Sequence, residues 1–311
     1  MELIQLEEIL TCLKGERTLF RYQRDGYALQ LLRDYIGTGM KITELRQSPY
    51  AQLLQKPVVK SALALASTGQ LKPQHIDWTA GELATLNFVL TLDQWGTERN
   101  SQRYYHQLSR TGYQLVLQLN FANDHQQQYQ QWIKAAACAE FSSWSHPVVK
   151  TGRYETLAWV RIDLDFALNQ ALIEEVQSDW VRQVKSSYLQ RYYPQLKEYR
   201  EQVLKPYAQV WDEAALAAAI RLIRTDLGIK EIFYHSFETG NRMKGISANL
   251  PPRSLYSDLP QKFAFKLTAE VPKFLQDLRH TQQVLRQQKS GARWYKLPHK
   301  EVTHVEEKTE A

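Results

Sequence analysis

Cysteine is scarce: Cys12 and Cys138 are the only two among 311 residues. With no CxxC and no Cys/His spacing around them, a disulfide framework and a structural zinc site are excluded, and both read as apolar fillers. No run of about 18 apolar residues exists to span a bilayer. The opening Met1-Glu-Leu-Ile-Gln-Leu-Glu-Glu is acidic where a signal peptide is basic, so the chain reads as cytoplasmic with no membrane partner. Glycine is thin as well, with 13 in all and none between Trp180 and Val210. No glycine-rich phosphate loop of the P-loop or dinucleotide type occurs, and no GxSxG elbow or HExxH pair, which sets aside the activities built on them.

What the chain does contain is material for a core, 43% hydrophobic residues, and an excess of base, with a formal charge of +6 and a pI near 9.1. The charge predicts an anionic partner, such as nucleic acid or coenzyme A phosphates, with a plain solvated basic surface as the alternative. Across residues 1–100 apolar side chains recur at helical spacing, as in Tyr27, Leu29, Leu31, Leu32 and Tyr35, then Leu53, Leu54, Val58, Val59, Leu63 and Leu65. They predict a helical N-terminal region, with a further helix over 79–92. Period-two alternation begins at 113–121, and Asn123-Asp124 offers a cap for a helix over 126–138.

Two strand-like runs, 156–165 and 171–178, flank a short turn and predict an antiparallel hairpin. A basic, mostly helical stretch follows over 180–210, interrupted by Pro194 and Pro206. Then come an alanine-rich helix over 211–227 ended by Gly228, a strand over 231–237 and a loop over 240–252. A short helix over 253–262, a strand over 263–267 and a helix over 272–288 complete the order. The predicted class is α+β: the helical region, a 101–270 core with a mixed, largely antiparallel sheet flanked by helices, and a C-terminal helix within 271–298. The polar tail 299–311 is expected to be disordered.

One strand carries more polar groups than a buried strand should. Ala171-Leu-Ile-Glu-Glu-Val-Gln-Ser-Asp-Trp180 sets three carboxylates, a glutamine and a serine among apolar residues, where an unpaired carboxylate is costly unless chemistry or binding repays it. In plain alternation Glu175, Gln177 and Asp179 share one face, and Glu174 and Ser178 the other. Arg161, Asp163 and Asp165 share a face of the partner strand. In-register pairing predicts carboxylates meeting at one end of the sheet, as a metal site or a base of raised pKa. The plainer reading pairs Arg161 with Glu174 or Glu175 and makes Asp179 a helix cap.

Basic residues from Arg182 to Lys205 interleave with Tyr188, Tyr192, Tyr193, Tyr199 and Tyr207, which suits base stacking between phosphate contacts. The competing and stronger pattern is a buried helical stripe of Tyr188, Tyr192, Leu196, Tyr199 and Val203. Gly240-Asn-Arg-Met-Lys-Gly245 reads either as an anion-wrapping turn or as an ordinary loop. His235 reads as a core histidine.

Three words, IEEVQSDW, WDEAALAAAIRLI from Trp211 and GIKEIFY from Gly228, resemble an uncharacterised bacterial family whose wording recurs in a domain of large polyvalent proteins of phages and conjugative elements. The likeness covers 156–267 and implies a setting of mobile elements and nucleic acid. The spacing of Asp165 to Glu175-Val-Gln177 resembles the D…(D/E)xK core of metal-dependent nucleases, with glutamine at the lysine position. That implies Mg2+ or Mn2+ held by Asp163 or Asp165 with Glu175. The order of elements resembles the GNAT superfamily of N-acyltransferases. This implies acetyl-coenzyme A as donor, 171–178 as the central strand of a splayed pair, and Tyr256 facing the opening to protonate the departing thiolate. Glu174 or Glu175, in a polar site with Gln177, Ser178 and Asp179, then deprotonates the amine. Arg182, Lys185, Arg242, Lys244 and Arg253 are the cations for the coenzyme A phosphates. One departure is clear: GNAT enzymes hold the pyrophosphate on backbone N–H groups of a glycine-rich turn after the central strand, and here that stretch has no glycine. Acyl transfer is the leading reading, a nuclease the second, and a non-catalytic nucleic-acid- or protein-binding module the third.

Overall fold

The computed structural model describes residues 1–13, 18–122, 125–132, 141, 146–148, 155–287 and 293–299. Its strands are β1 (Thr18–Tyr22), β2 (Met40–Lys41), β3 (Gln70–Leu71), β4 (Leu86–Thr97), β5 (Gly112–Phe121), β6 (Thr156–Asp165), β7 (Gln170–Gln177), β8 (Glu231–His235), β9 (Lys266–Thr268) and β10 (Trp294–Lys296). Eight of them form one mixed sheet in the order β1-β4-β5-β6-β7-β8-β10-β9, while β2 and β3 pair separately. Among the described residues only β7 and β8 run parallel; every other pair is antiparallel. The class is α+β, with helices flanking the sheet, as the sequence predicts.

A parallel step needs a crossover, and the helix Trp211–Arg221 supplies it. Ala214, Ala215, Ala217, Ala218 and Ala219 are all buried, so a strong helix former with a small side chain lets this helix lie close on β5, β6 and β7. Beneath it Leu115, Leu117, Leu119, Val160, Ile162 and Ile173 fill the main core. The opposite face has a smaller apolar cluster, Leu172, Phe233, Met243, Leu275, Val284 and Trp294, under the helices Phe237–Lys244 and Arg279–Gln287.

Helices form at Leu3–Leu13, Gly26–Ile36, Pro57–Leu65 and Pro73–Gly81, the second and third over the periodic residues, but the same region also gives β1 and β4 to the sheet. The helix expected over 79–92 is not there. The preceding helix stops at Gly81, and Phe88, Leu90 and Leu92 instead pair with Phe121, Leu119 and Leu117 of β5. Buried Glu213 links the two parts: it accepts from Tyr22 Oη at 3.1 Å and from the Asp25 amide at 2.9 Å, and it pairs with Lys262.

The expected loop over 240–252 is helical as far as Lys244. Gly240 lies inside that helix because a Cβ there would stand 2.8 Å from Cβ of His235, and Gly245 closes the helix at φ 69. Packing and capping, not anion binding, account for both glycines. The strand expected to reach residue 237 ends at His235, and the helix expected over 272–288 is divided into Lys273–Gln276 and Arg279–Gln287. Cys12 is exposed rather than a core filler. Cys138, the Asn123-Asp124 cap and the tail beyond His299 lie outside the described residues. Among the described residues, no helix is long and apolar enough to cross a membrane.

Candidate functional site

The hairpin β6–β7 is not regular. Arg161 stands opposite Glu175 and Ile162 opposite Ile173, so Glu174 is an extra residue on β7, a β-bulge. The bulge changes the alternation: Ile173 and Val176 both reach the main core, while Glu174 and Glu175 both turn toward the face carrying Arg161 and His235. The sequence expectation of opposite faces for these two glutamates fails on this one inserted residue.

Both carboxylates are buried and paired. Glu174 accepts from Ser109 Oγ at 2.8 Å and meets Nε2 of His235 at 3.1 Å. Burial works to raise its pKa, but His235, Lys244 and Arg161 override it and hold the carboxyl down at about 2. Burial also works to keep His235 below its usual range, against the Glu174 carboxylate, which raises it. Ser109 and Glu174 address the same ring nitrogen, so the trio is not arranged as a hydrolytic triad. Glu175 is bound by Nε and Nη2 of Arg161, whose charge outweighs burial and lowers the carboxyl. Neither glutamate is the raised-pKa base that the sequence suggested.

β8 pairs with β7 from Gln170–Glu231 to Ile173–Tyr234 and ends one residue later, at His235, beside the bulge. There Lys244, fully buried, donates to the main-chain oxygen of Glu174 at 3.0 Å and to Tyr256 Oη at 3.2 Å. Burial lowers the Lys244 ammonium and raises Tyr256 well above the ordinary tyrosine value, so the phenol stays protonated.

At the carboxyl end of β7, Ser178 rather than Asp179 caps the helix Asp179–Val184; its Oγ accepts from Val181 N at 3.1 Å and donates to Leu157 O at 2.5 Å. Asp179, only 3% exposed, gathers Nε2 of Gln177 at 2.7 Å, Nη2 of Arg182 at 2.5 Å and Nδ1 of His146 at 2.5 Å. Burial would raise this carboxyl; His146, Gln177 and Arg182 lower it. The His146 ring is 28% exposed and lies edge-on to Trp159. Nothing in the sequence marks His146, which stands alone, 33 positions from its partner.

The remaining candidates disperse. Asp163 and Asp165 both bind Arg110, at 2.8 and 3.3 Å, and do not join Glu175, which Arg161 holds. With a guanidinium on each, these carboxylates do not fit a divalent cation, and among the described residues no cluster of three or more His, Cys, Asp or Glu side chains could hold one. Arg182 and Lys185 are exposed beyond the end of β7. Arg242 is exposed on its own helix, and Arg253 pairs with Glu238. A cleft of about 830 Å³ lies at the opposite, turn end of the hairpin, beside Ile4, Arg110, Asp165 and Phe166, away from the polar end of β7. The tyrosine stripe is broken: Leu196 and Tyr199 are buried, whereas Tyr188 and Tyr192 are 64% and 62% exposed with ring centroids 4.8 Å apart.

The chain matches no family model, no curated protein and no solved structure.

Proposed function

We propose that the chain is an N-acyltransferase of the GNAT type, with an acyl-coenzyme A thioester as donor, acting along the carboxyl-terminal half of β7. One observation carries this reading: β7 and β8 are parallel, pair through four residues each, and β7 runs on past the end of β8, where Lys244 binds the Glu174 carbonyl and Tyr256. The hairpin ahead of this pair and the long helix within the crossover agree with the element order that the resemblance implies. Arg182 and Lys185 replace the missing glycine turn, meeting donor phosphates with side-chain charge instead of backbone N–H groups. Isothermal titration with acetyl-coenzyme A tests the reading. A micromolar dissociation constant is expected, weakened at least about tenfold in Arg182→Ala/Lys185→Ala, since a charge-assisted contact contributes about 1.5–3 kcal/mol. Absence of binding at millimolar ligand removes it.

The exposed Tyr188 and Tyr192 pair, close in sequence to Lys185 and Arg191, favours a second reading, a surface for single-stranded nucleic acid. Stacking contributes about 1–3 kcal/mol per base. Fluorescence anisotropy with a labelled oligothymidine should show salt-sensitive binding that falls at least about tenfold in Tyr188→Ala/Tyr192→Ala. Equal affinity of the variant excludes this surface.

A further inference from the structure

We propose that His146 is the catalytic proton acceptor of this site and that Asp179 is its positioning residue; the inference rests on the acyl-transfer reading. The acidic side chains first suited to the task are committed elsewhere, Glu174 to Ser109 and His235 and Glu175 to Arg161. His146 is arranged differently. Its Nδ1 faces Asp179 Oδ2 at 2.5 Å, while Gln177 and Arg182 both donate to Asp179 Oδ1 and fix that carboxylate. A buried carboxylate that receives Nδ1–H leaves the lone pair on Nε2, the tautomer needed to accept a proton from outside. Nε2 has no protein partner among the described residues, and the ring is partly open to solvent.

Among the described residues, the charged groups around the ring are few. Asp179 lies at its Nδ1 with Arg182 beyond, and Glu175, itself held by Arg161, stands at longer range. Trp159 borders the ring without charge. Thus the ring meets solvent on one side and the Asp179 carboxylate on the other.

In the step assigned to it, an acceptor ammonium gives one proton to Nε2 of His146. The freed nitrogen lone pair attacks the thioester carbonyl carbon. A C–N bond forms, the C–S bond breaks with its electron pair on sulfur, and the second proton of the nitrogen ends on the thiolate. His146 then releases its proton to solvent. Ammonium and thioester become amide, thiol and one proton, with no change of oxidation state.

The test follows thiol release from acetyl-coenzyme A by the full chain with spermidine, a lysine peptide and a peptide α-amine as acceptors. His146→Gln should lower kcat by at least about 100-fold, within the usual range for a lost general base, with the donor KM changed by no more than about threefold. The rising limb of kcat against pH should vanish in that variant, shift in Asp179→Asn and return in Asp179→Glu. Added imidazole should restore part of the rate of His146→Ala. If the wild type transfers acyl groups and His146→Gln keeps its rate within about threefold, the assignment is overturned while the acyl-transfer reading stands. If the wild type binds no acetyl-coenzyme A, both fall. Should the glutamine variant lose its circular dichroism spectrum, the near-isosteric Asp179→Asn decides, and an unchanged pH profile there overturns the pairing.

Discussion

His125 shows how a single buried group sets a pH window. It stacks on Phe121 at 3.6 Å between centroids, and its Nε2 meets Tyr199 Oη at 2.5 Å. Burial lowers its pKa from 6.5 to about 4. The unfolded chain therefore takes up this proton first, so stability is full above pH 6.5 and declines as pH falls toward 4, by up to about 3 kcal/mol. Urea unfolding of His125→Gln should lose most of that dependence between pH 7 and 4.5. An unchanged slope in the variant refutes the attribution. Glu174 acts in a lower window: its carboxyl is held at about 2 against an ordinary 4.5, so its contribution is present above 4.5 and is lost as pH falls toward 2.

At the level of the element, the bulge on β7 depends on Lys244. The bulge leaves the Glu174 carbonyl to be satisfied from outside the strand, and the buried ammonium does so while lying near two ionised glutamates. Lys244→Met preserves the stem and removes the donor, which should cost about 1–3 kcal/mol, the range for leaving a buried hydrogen-bonding group unsatisfied. The denaturant midpoint reads it, and a loss below about 1 kcal/mol contradicts the role. The hairpin and the alanine-rich helix were legible because their periodicity is local, and so was the polar word on β7. The bulge was not, because one inserted residue leaves no compositional trace yet reverses which side chains share a face. Residues 86–92 satisfy helical and alternating templates together, and only pairing with β5 decides between them. His146 was invisible for the same reason: its meaning comes from a carboxylate brought to it by the fold.

Across the whole molecule, the first hundred residues share a sheet with the core, and Glu213 joins Tyr22, Asp25 and Lys262. Unfolding should follow one transition, with near- and far-ultraviolet dichroism coincident. Glu213→Ala should lower stability by about 3–5 kcal/mol without separating the two signals; two distinct transitions in the wild type would contradict this coupling. The order of strands has a further effect during synthesis. β10 lies between β8 and β9, pairing Trp294 with His235 on one side and with Thr268 on the other. A nascent chain that has emerged only as far as residue 290 leaves the edge of Glu231–His235 without its partner. Until Trp294–Lys296 is inserted, that edge is the place where another polypeptide can add a strand.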